Sequence, residues 1–475
     1  MRRSTLNPTI TVIIPVRNDA AHLQRALEAL RGSTVPPLEV IVVDDASSDN
    51  SAEIAERHGA RVFRNARQSG PARARNLGAR MARGEVLLFL DADVCVYPNT
   101  LERISAQFAQ DPTLDALIGA YDAEPEAPDF LSQYRNLMHC FVHHHARHEA
   151  STFWSGCGAI RRHVFLEVGG FDECYRRPSV EDIELGYRLR QRGRKIVLDP
   201  TIEVKHLKRW TFWELVRTDI FDRGIPWTEL ILRDRHMPND LNLQVSQRIS
   251  VALAFLIGGL SLAGAIYWRG YFLVPMFAAL FLVMGRYWVE HASSRERRAG
   301  LVWTAMVTGA LMVAAWWHGM DALVPLLGLG YALLVIRHRY ELGARGWRYT
   351  TAVILLVLVA LGIFVLFYVP YHYFVFSLAL ALLSIVLLNS QFYVFLAVRK
   401  GRAFALAAIP FHLLFHFYNG ISFIAGTLRY AWKGLVGQRS VEPRRPSLLD
   451  EEVPYEHRID TRGIEASDGV ARRAH

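Results

Sequence analysis

Cysteine is scarce: Cys95, Cys140, Cys157 and Cys174 are the only ones in 475 residues. None forms a Cys-x-x-Cys pair and no spacing fits a zinc site, so a reduced, cytosolic setting is expected. The first 245 residues hold no apolar run long enough to cross a bilayer. The run that opens the chain is cut by Pro15 and Arg17, too short for a signal peptide, and reads as a first strand. Between 249 and 428 the shortage is the opposite one, since charge nearly disappears from long stretches. Aromatics are then sparse in the charged residues 436–475, the composition of a disordered tail. An acidic excess is missing too, the formal net charge being +9. That balance does not call for nucleic acid, because Lys and Arg gather in the cytoplasmic loops of membrane proteins.

The length allows about two or three domains. In the soluble half, strands alternate with helices. Ile10 to Val16 reads as a strand, Ala20 to Arg31 as a helix with Leu23, Leu27 and Leu30 on one face, and Glu39 to Val43 as a second strand. Ser47 or Ser48 is placed to cap the next helix. Arg61 to Phe63 is a third strand, Gly70 to Met81 a helix rich in Ala and Arg, and Val86 to Leu90 a buried strand. This order implies an α/β fold with a mainly parallel sheet. The last strand delivers Asp91-Ala92-Asp93 to its C-terminal edge, where open α/β sheets bind ligands. Two carboxylates one residue apart suit a hard divalent cation that keeps positions open for phosphate oxygens. A diphosphate needs further positive charge, for which Arg73 and Arg75 are candidates.

The motifs Val-Ile-Ile-Pro-Val-Arg-Asn at 12–18, Val-Val-Asp-Asp-Ala-Ser-Ser-Asp at 42–49, Ala-Arg-Asn at 74–76 and Asp-Ala-Asp at 91–93 resemble, in order and spacing, those of glycosyltransferase family 2. The resemblance covers about residues 8–230. It implies the Rossmann-like GT-A fold, a nucleotide-diphosphate sugar as donor and Mg2+ or Mn2+ as cofactor. It also implies a donor site built from Pro15, Arg17, Asn18, Asp44, Asp45, Arg75, Asn76, Asp91 and Ala92. In it Asp44 and Asp45 would hold the nucleoside, Arg75 would lie near base and phosphates, Asp91 near the ribose and Asp93 on the metal.

A second cluster follows. Trp154-Ser155-Gly156-Cys157-Gly158-Ala159 carries small residues where backbone can approach a ligand. Glu181-Asp182 opens a helical pattern, where backbone N–H groups favour an ionised carboxylate. A hydroxyl acceptor needs such a group to take its proton as it attacks, whereas a polyprenyl phosphate, already anionic, does not. The pair resembles the family's Glu-Asp motif, with Asp182 matching the general base, and a single inverting displacement is implied. His206 is similar to the late metal ligand of some GT-A enzymes. His206-Leu207-Lys208-Arg209-Trp210 also resembles the Gln-x-x-Arg-Trp of processive polysaccharide synthases, but His replaces Gln, which counts against processivity. Gly156, Cys157, Gly158, Glu181, Arg209 and Trp210 are the expected acceptor and diphosphate contacts.

His139, His143, His144, His145 and His148 invite a metal reading, but they share a helix with Phe130, Tyr134, Leu137 and Phe141. An amphipathic helix near the acceptor site or the membrane is the better reading. Residues 206–246 are rich in Trp and read as interface helices broken near Pro226. Apolar segments follow at 249–268, 271–289, 301–317, 322–336, 350–370 and 373–398, most of them near the ~20 residues a spanning helix needs. Basic loops at 295–298, 337–348 and 399–402 alternate with nearly uncharged ones, which puts the N-terminal domain in the cytosol. The stretch 403–428, holding Pro410, His412, His416 and Asn419, reads as interfacial or re-entrant, or else as a seventh span.

The expectation is thus a GT-A domain at 1–205, interface helices at 206–246, an all-α transmembrane domain at 247–430 and a charged tail at 431–475. The expected activity is that of a hexosyltransferase of the cytoplasmic membrane, with a cytosolic catalytic domain, making a cell-envelope glycan or glycolipid. Its acceptor would be lipid-linked or amphiphilic, membrane lipids would be partners, and nucleic acid would not. The alternatives are a processive synthase that extrudes its polymer, a polyprenyl-phosphate glycosyltransferase and an inactive GT-A scaffold.

Overall fold

The computed structural model describes residues 7–267 and 372–436, with a few positions between 305 and 313. These residues fall into two compact units. One comprises 7–127, 135–242 and 422–436; the other 128–134, 243–267 and 372–421 with those few positions. The segments expected at 271–289, 322–336 and 350–370, nearly all of 301–317, and most of the tail lie outside the described residues.

The first unit is built on an eight-stranded sheet, in the order β3-β2-β1-β4-β7-β6-β8-β5. β1 (Ile10–Val16), β2 (Glu39–Asp44), β3 (Arg61–Arg64) and β4 (Val86–Leu90) run parallel, as the alternation with α1 (Ala20–Arg31), α2 (Ser51–Arg57) and α3 (Pro71–Met81) requires. Both faces are covered, so the strands read as continuous apolar runs. Val86, Leu88 and Leu90 enter one core, and Leu87 and Phe89 the other. Phe89 is fully buried, with Phe165 and Phe171 each 5.1 Å away between ring centroids. Phe89→Ala is expected to destabilise this unit by about 3–5 kcal/mol, read as an earlier midpoint in denaturant for the detergent-solubilised chain.

Of the remaining strands the sequence marks only the start of β8, in the apolar run Lys195-Ile196-Val197-Leu198. β5 (Val94–Val96) is an edge strand antiparallel to β8 (Ile196–His206), pairing Val94 with His206. β6 (Ala116–Tyr121) runs parallel to β8, beyond α4 (Thr100–Gln110). β7 (Cys157–Arg161) lies antiparallel between β4 and β6, pairing Cys157 with Leu90. The small residues expected to meet a ligand therefore stand largely in the middle of the sheet. A Cβ at Gly158 would come within 2.4 Å of the Trp154 carbonyl oxygen, so that glycine serves packing. α5 (Phe130–His144), α6 (Arg162–Glu167) and α7 (Glu181–Gln191) complete the frame.

After the sheet come α8 (Phe212–Arg217), a π-helical turn (Thr218–Gly224) and α9 (Ile225–Asp234), with Pro226 in its first turn; the backbone stays helical from α8 into α9, so the break expected near Pro226 is not there. Glu229 of α9 pairs with Arg429 and Lys433, at 3.2 and 2.9 Å.

The second unit contains α10 (Val245–Tyr267), α11 (His372–Leu388), α12 (Ser390–Lys400) and the first part of α13 (Arg402–Leu435). The stretch expected as one span at 373–398 is two helices bent by 65° at Asn389. The bend is pinned where Asn389 Nδ2 donates to Ser250 Oγ and to the Ile385 carbonyl, each at 2.8 Å. The stretch at 403–428 is part of one continuous 34-residue helix that passes through Pro410. Among the described residues, Val245–Leu262 and Arg402–Leu435 are long and apolar enough to cross a membrane.

Candidate functional site

The site forms at the C-terminal edge of β1, β2 and β4. The β1 and β2 loops are stitched together. Asn18, at φ 53°, accepts from Ser48 N at 2.7 Å and donates its own N–H to Ser47 Oγ at 3.0 Å. Pro15 is half-buried and Arg17 exposed beside this seam.

Asp44 and Asp45 are both buried and already hydrogen-bonded. Asp44 accepts from Arg64 Nε at 2.7 Å and from Ser47 N at 2.9 Å. Asp45 accepts from Asn65 Nδ2, Ser69 N and Gly70 N, each at 2.8 Å. Their carboxylates shape the loops that would receive a nucleoside. Gly70, at φ +94°, lies so close to the Arg176 backbone that a Cβ would meet it at 2.5 Å. Asn76 is turned away from the edge and clamps the following loop, accepting from Phe171 N at 2.8 Å and donating to Glu173 Oε1 at 3.0 Å.

The guanidinium of Arg75 is buried and bridges two carboxylates, Asp91 Oδ1 at 2.7 Å and Glu181 Oε1 at 3.0 Å. Removing it would leave Glu181 charged, buried and unpaired. Arg75→Met is expected to cost about 3–5 kcal/mol of stability, measured as for Phe89→Ala. Asp91 keeps 36% of its side chain exposed, so it can still meet a ligand. Ala92 between the two acids is buried.

Asp182 stands at the start of α7. Its Oδ2 accepts from Ser155 N at 3.1 Å and Ser155 Oγ at 3.2 Å, and its Oδ1 from Ile183 N at 2.8 Å. Gly186 lets the chain at 152–153 press against α7, since a Cβ there would come within 2.2 Å of Phe153 N. Buried Arg188 ties α7 to the carbonyls of Val168 and Gly170 at 2.6 and 2.5 Å. Burial raises the Asp182 pKa above the ordinary aspartate range, against the Ser155 and Ile183 N–H bonds and Arg75. Glu181 is raised by burial as well.

Asp93 and His206 are brought together by the β5–β8 pairing, with Asp93 Oδ2 3.4 Å from His206 Nε2. Burial opposes ionisation of Asp93, but His206, Lys208 and His22 hold its pKa below the usual value. Among the described residues no group of three or more His, Cys, Asp or Glu side chains gathers around one point.

The expected acceptor contacts divide. Arg209 is exposed. Cys157 is buried in β7, which pushes its thiol up to about 12. A Cβ at Gly156 would strike the Trp154 ring at 2.6 Å. Trp210 is 5% exposed and covered by cations, with Lys208 Nζ 4.4 Å from its ring centroid, so it is not an open sugar platform. His139 and His143 pack against Trp154 at 5.3 and 4.8 Å between ring centroids, beneath the site. His143 donates to the Gly119 carbonyl, and burial lowers its pKa to about 4. Sequence reasoning missed Ser155 as a partner of Asp182, and Asn136 and Tyr121 beside His206. No spacing marks these residues, because their elements meet only through the sheet.

Residues 11–169, which carry Asp44, Asp45, Asp91 and Asp93, match the family model for glycosyl transferase family 2. The pre-mycofactocin glycosyltransferase of Mycobacterium tuberculosis is 30% identical over 225 residues, covering 45% of this chain and 46% of that protein. The validoxylamine A glucosyltransferase of Streptomyces hygroscopicus subsp. limoneus is 29% identical over 222 residues, covering 39% and 49%. The chain spans about half the length of these curated relatives. Among solved structures, the mannosyltransferase PcManGT from Pyrobaculum calidifontis, in complex with GDP-Man and Mn2+, is 20% identical with a TM-score of 0.36 over 76% of this chain and 88% of that one.

Proposed function

We propose that the chain is a membrane-bound, inverting glycosyltransferase that moves a sugar from a nucleotide-diphosphate sugar to a hydroxyl of a lipid-linked or amphiphilic acceptor. The observation that carries this reading is the Arg75 bridge. One buried guanidinium holds both Asp91, at the donor edge of β4, and Glu181, the neighbour of Asp182. The donor corner and the candidate base are thereby fixed in one frame, as a single displacement needs. Asp182 takes the acceptor proton, the acceptor oxygen bonds to the anomeric carbon, and the electron pair of the breaking C–O bond leaves with the diphosphate.

Asp93 and His206 fit a divalent cation: an oxygen and a nitrogen donor stand 3.4 Å apart, a spacing that two adjacent ligands of one ion can have, and so few protein ligands leave positions for phosphate oxygens. Such an ion would supply charge for the leaving diphosphate. The apolar helices α10 and α13 support attachment to a membrane, the cytoplasmic one, with the catalytic domain on the cytosolic side where nucleotide sugars reside. The bent pair of α11 and α12 fits a broken span or a re-entrant element. Membranes carrying the protein, incubated with a panel of nucleotide sugars, are expected to yield a lipid extract with a mass shifted by one sugar. A ladder of long products would instead establish processive synthesis, and no product with any donor would remove the transferase reading.

A further inference from the structure

Asn136 is buried inside α5 and lies against His206. Its Nδ2 points at the Lys208 carbonyl at 3.5 Å, and its Oδ1 lies 2.7 Å from His206 Nδ1. A carbonyl oxygen only accepts, so Nδ1 must carry the ring proton. In the neutral ring the lone pair is then on Nε2, the nitrogen 3.4 Å from Asp93 Oδ2. Two acceptors then stand side by side, an arrangement favoured when both ligate one cation. In the other tautomer Nε2–H would donate to Asp93, and both groups would be closed to an ion.

The plane of the ring is fixed separately. Tyr121 stacks on His206 with 4.2 Å between centroids and 7° between planes, and Trp154 holds Tyr121 edge-on at 4.8 Å and 88°. We propose that Asn136 is a positioning residue that sets the tautomer of His206, so that Nε2 faces the cation shared with Asp93. This rests on the reading of Asp93 and His206 as cation ligands. An outer partner on a ligating imidazole both orients it and raises its basicity.

The test is Mn2+ binding to the full chain in detergent, followed by the EPR signal of free Mn2+, with Mn2+ alone and again with UDP or GDP present. Asn136→Leu keeps the volume and removes the acceptor, and is expected to weaken binding on the order of ten- to a hundredfold. Asn136→Ala, the milder change should the first variant not fold, is expected to do the same. Asn136→Asp retains an acceptor and is expected to bind Mn2+ at least as tightly as the native chain. A merely structural Asn136 would order the variants differently, since a buried carboxylate would harm the fold more than leucine does.

His206→Ala separates the two levels. If it loses Mn2+ while Asn136→Leu and Asn136→Ala bind normally, the tautomer proposal is wrong and the cation reading stands. If His206→Ala binds Mn2+ as the native chain does, the cation reading is wrong and the proposal goes with it.

Discussion

Asp182→Asn is expected to bind nucleotide sugar as tightly as the native chain and to transfer it about a hundred- to ten-thousandfold more slowly, the usual contribution of a positioned general base. The amide keeps the volume but cannot take a proton from the acceptor. Asp182 accepts at both oxygens, from Ser155 and from Ile183 N, so the amide nitrogen would face a donor. A stability loss of about 1–3 kcal/mol should accompany the catalytic one. It can be told apart from that loss by measuring donor affinity calorimetrically below the unfolding range. The pH profile gives a second readout. Burial raises the Asp182 pKa, so the carboxylate forms only above the ordinary aspartate range of ~3.9. Transfer should rise with pH through that displaced limb and fall as acid protonates the base. Full transfer by the variant would remove Asp182 from the mechanism.

Excess chelator is expected to abolish transfer, with recovery on adding Mg2+ or Mn2+, and Asp93→Ala should lower transfer by about two to four decades. Lys208 and His22, with His206 when its ring is protonated, keep Asp93 anionic against its burial, and it stands at the edge where an anionic diphosphate would bind. Without a cation between them the two repel; with one, both are ligands. Lys208 is partly engaged with Glu214 at 3.0 Å and cannot replace the ion. The same chelation should leave the unfolding midpoint within about 1 kcal/mol of its starting value if the ion binds weakly in the absence of donor. Unchanged turnover in excess chelator would rule the cation out of the mechanism.

Much of the N-terminal sheet was legible because β1, β2 and β4 are buried on both faces. Val86 to Leu90 could hardly be anything else, and α1 follows its leucines residue for residue. The short strand β5 left no such signal, being three residues long, and the stretch 154–159 read as a ligand loop for its small residues, whereas Gly156 and Gly158 make room for Trp154 and Phe153. Chemical roles were less legible than chemical types. Arg75 and Asn76 carry the polar groups a donor site calls for, yet both are tied to protein partners, because burial leaves a guanidinium or an amide little choice but to pair.

The sequence by itself determined the alternation of strand and helix, the acids at the strand edges, and the long apolar helices that follow, since these depend on local periodicity and turn chemistry. Only the tertiary structure decided which of those acids are held and which remain open. Asp44 and Asp45 are buried and hydrogen-bonded to their own loops, Asp91 is half engaged through Arg75, and Asp93 meets His206. Asp44, Asp45 and Asp91 find their partners within 25 positions, but Arg75 meets Glu181 and Asp93 meets His206 across more than a hundred, because β7 and β8 return to join the first strands in one sheet.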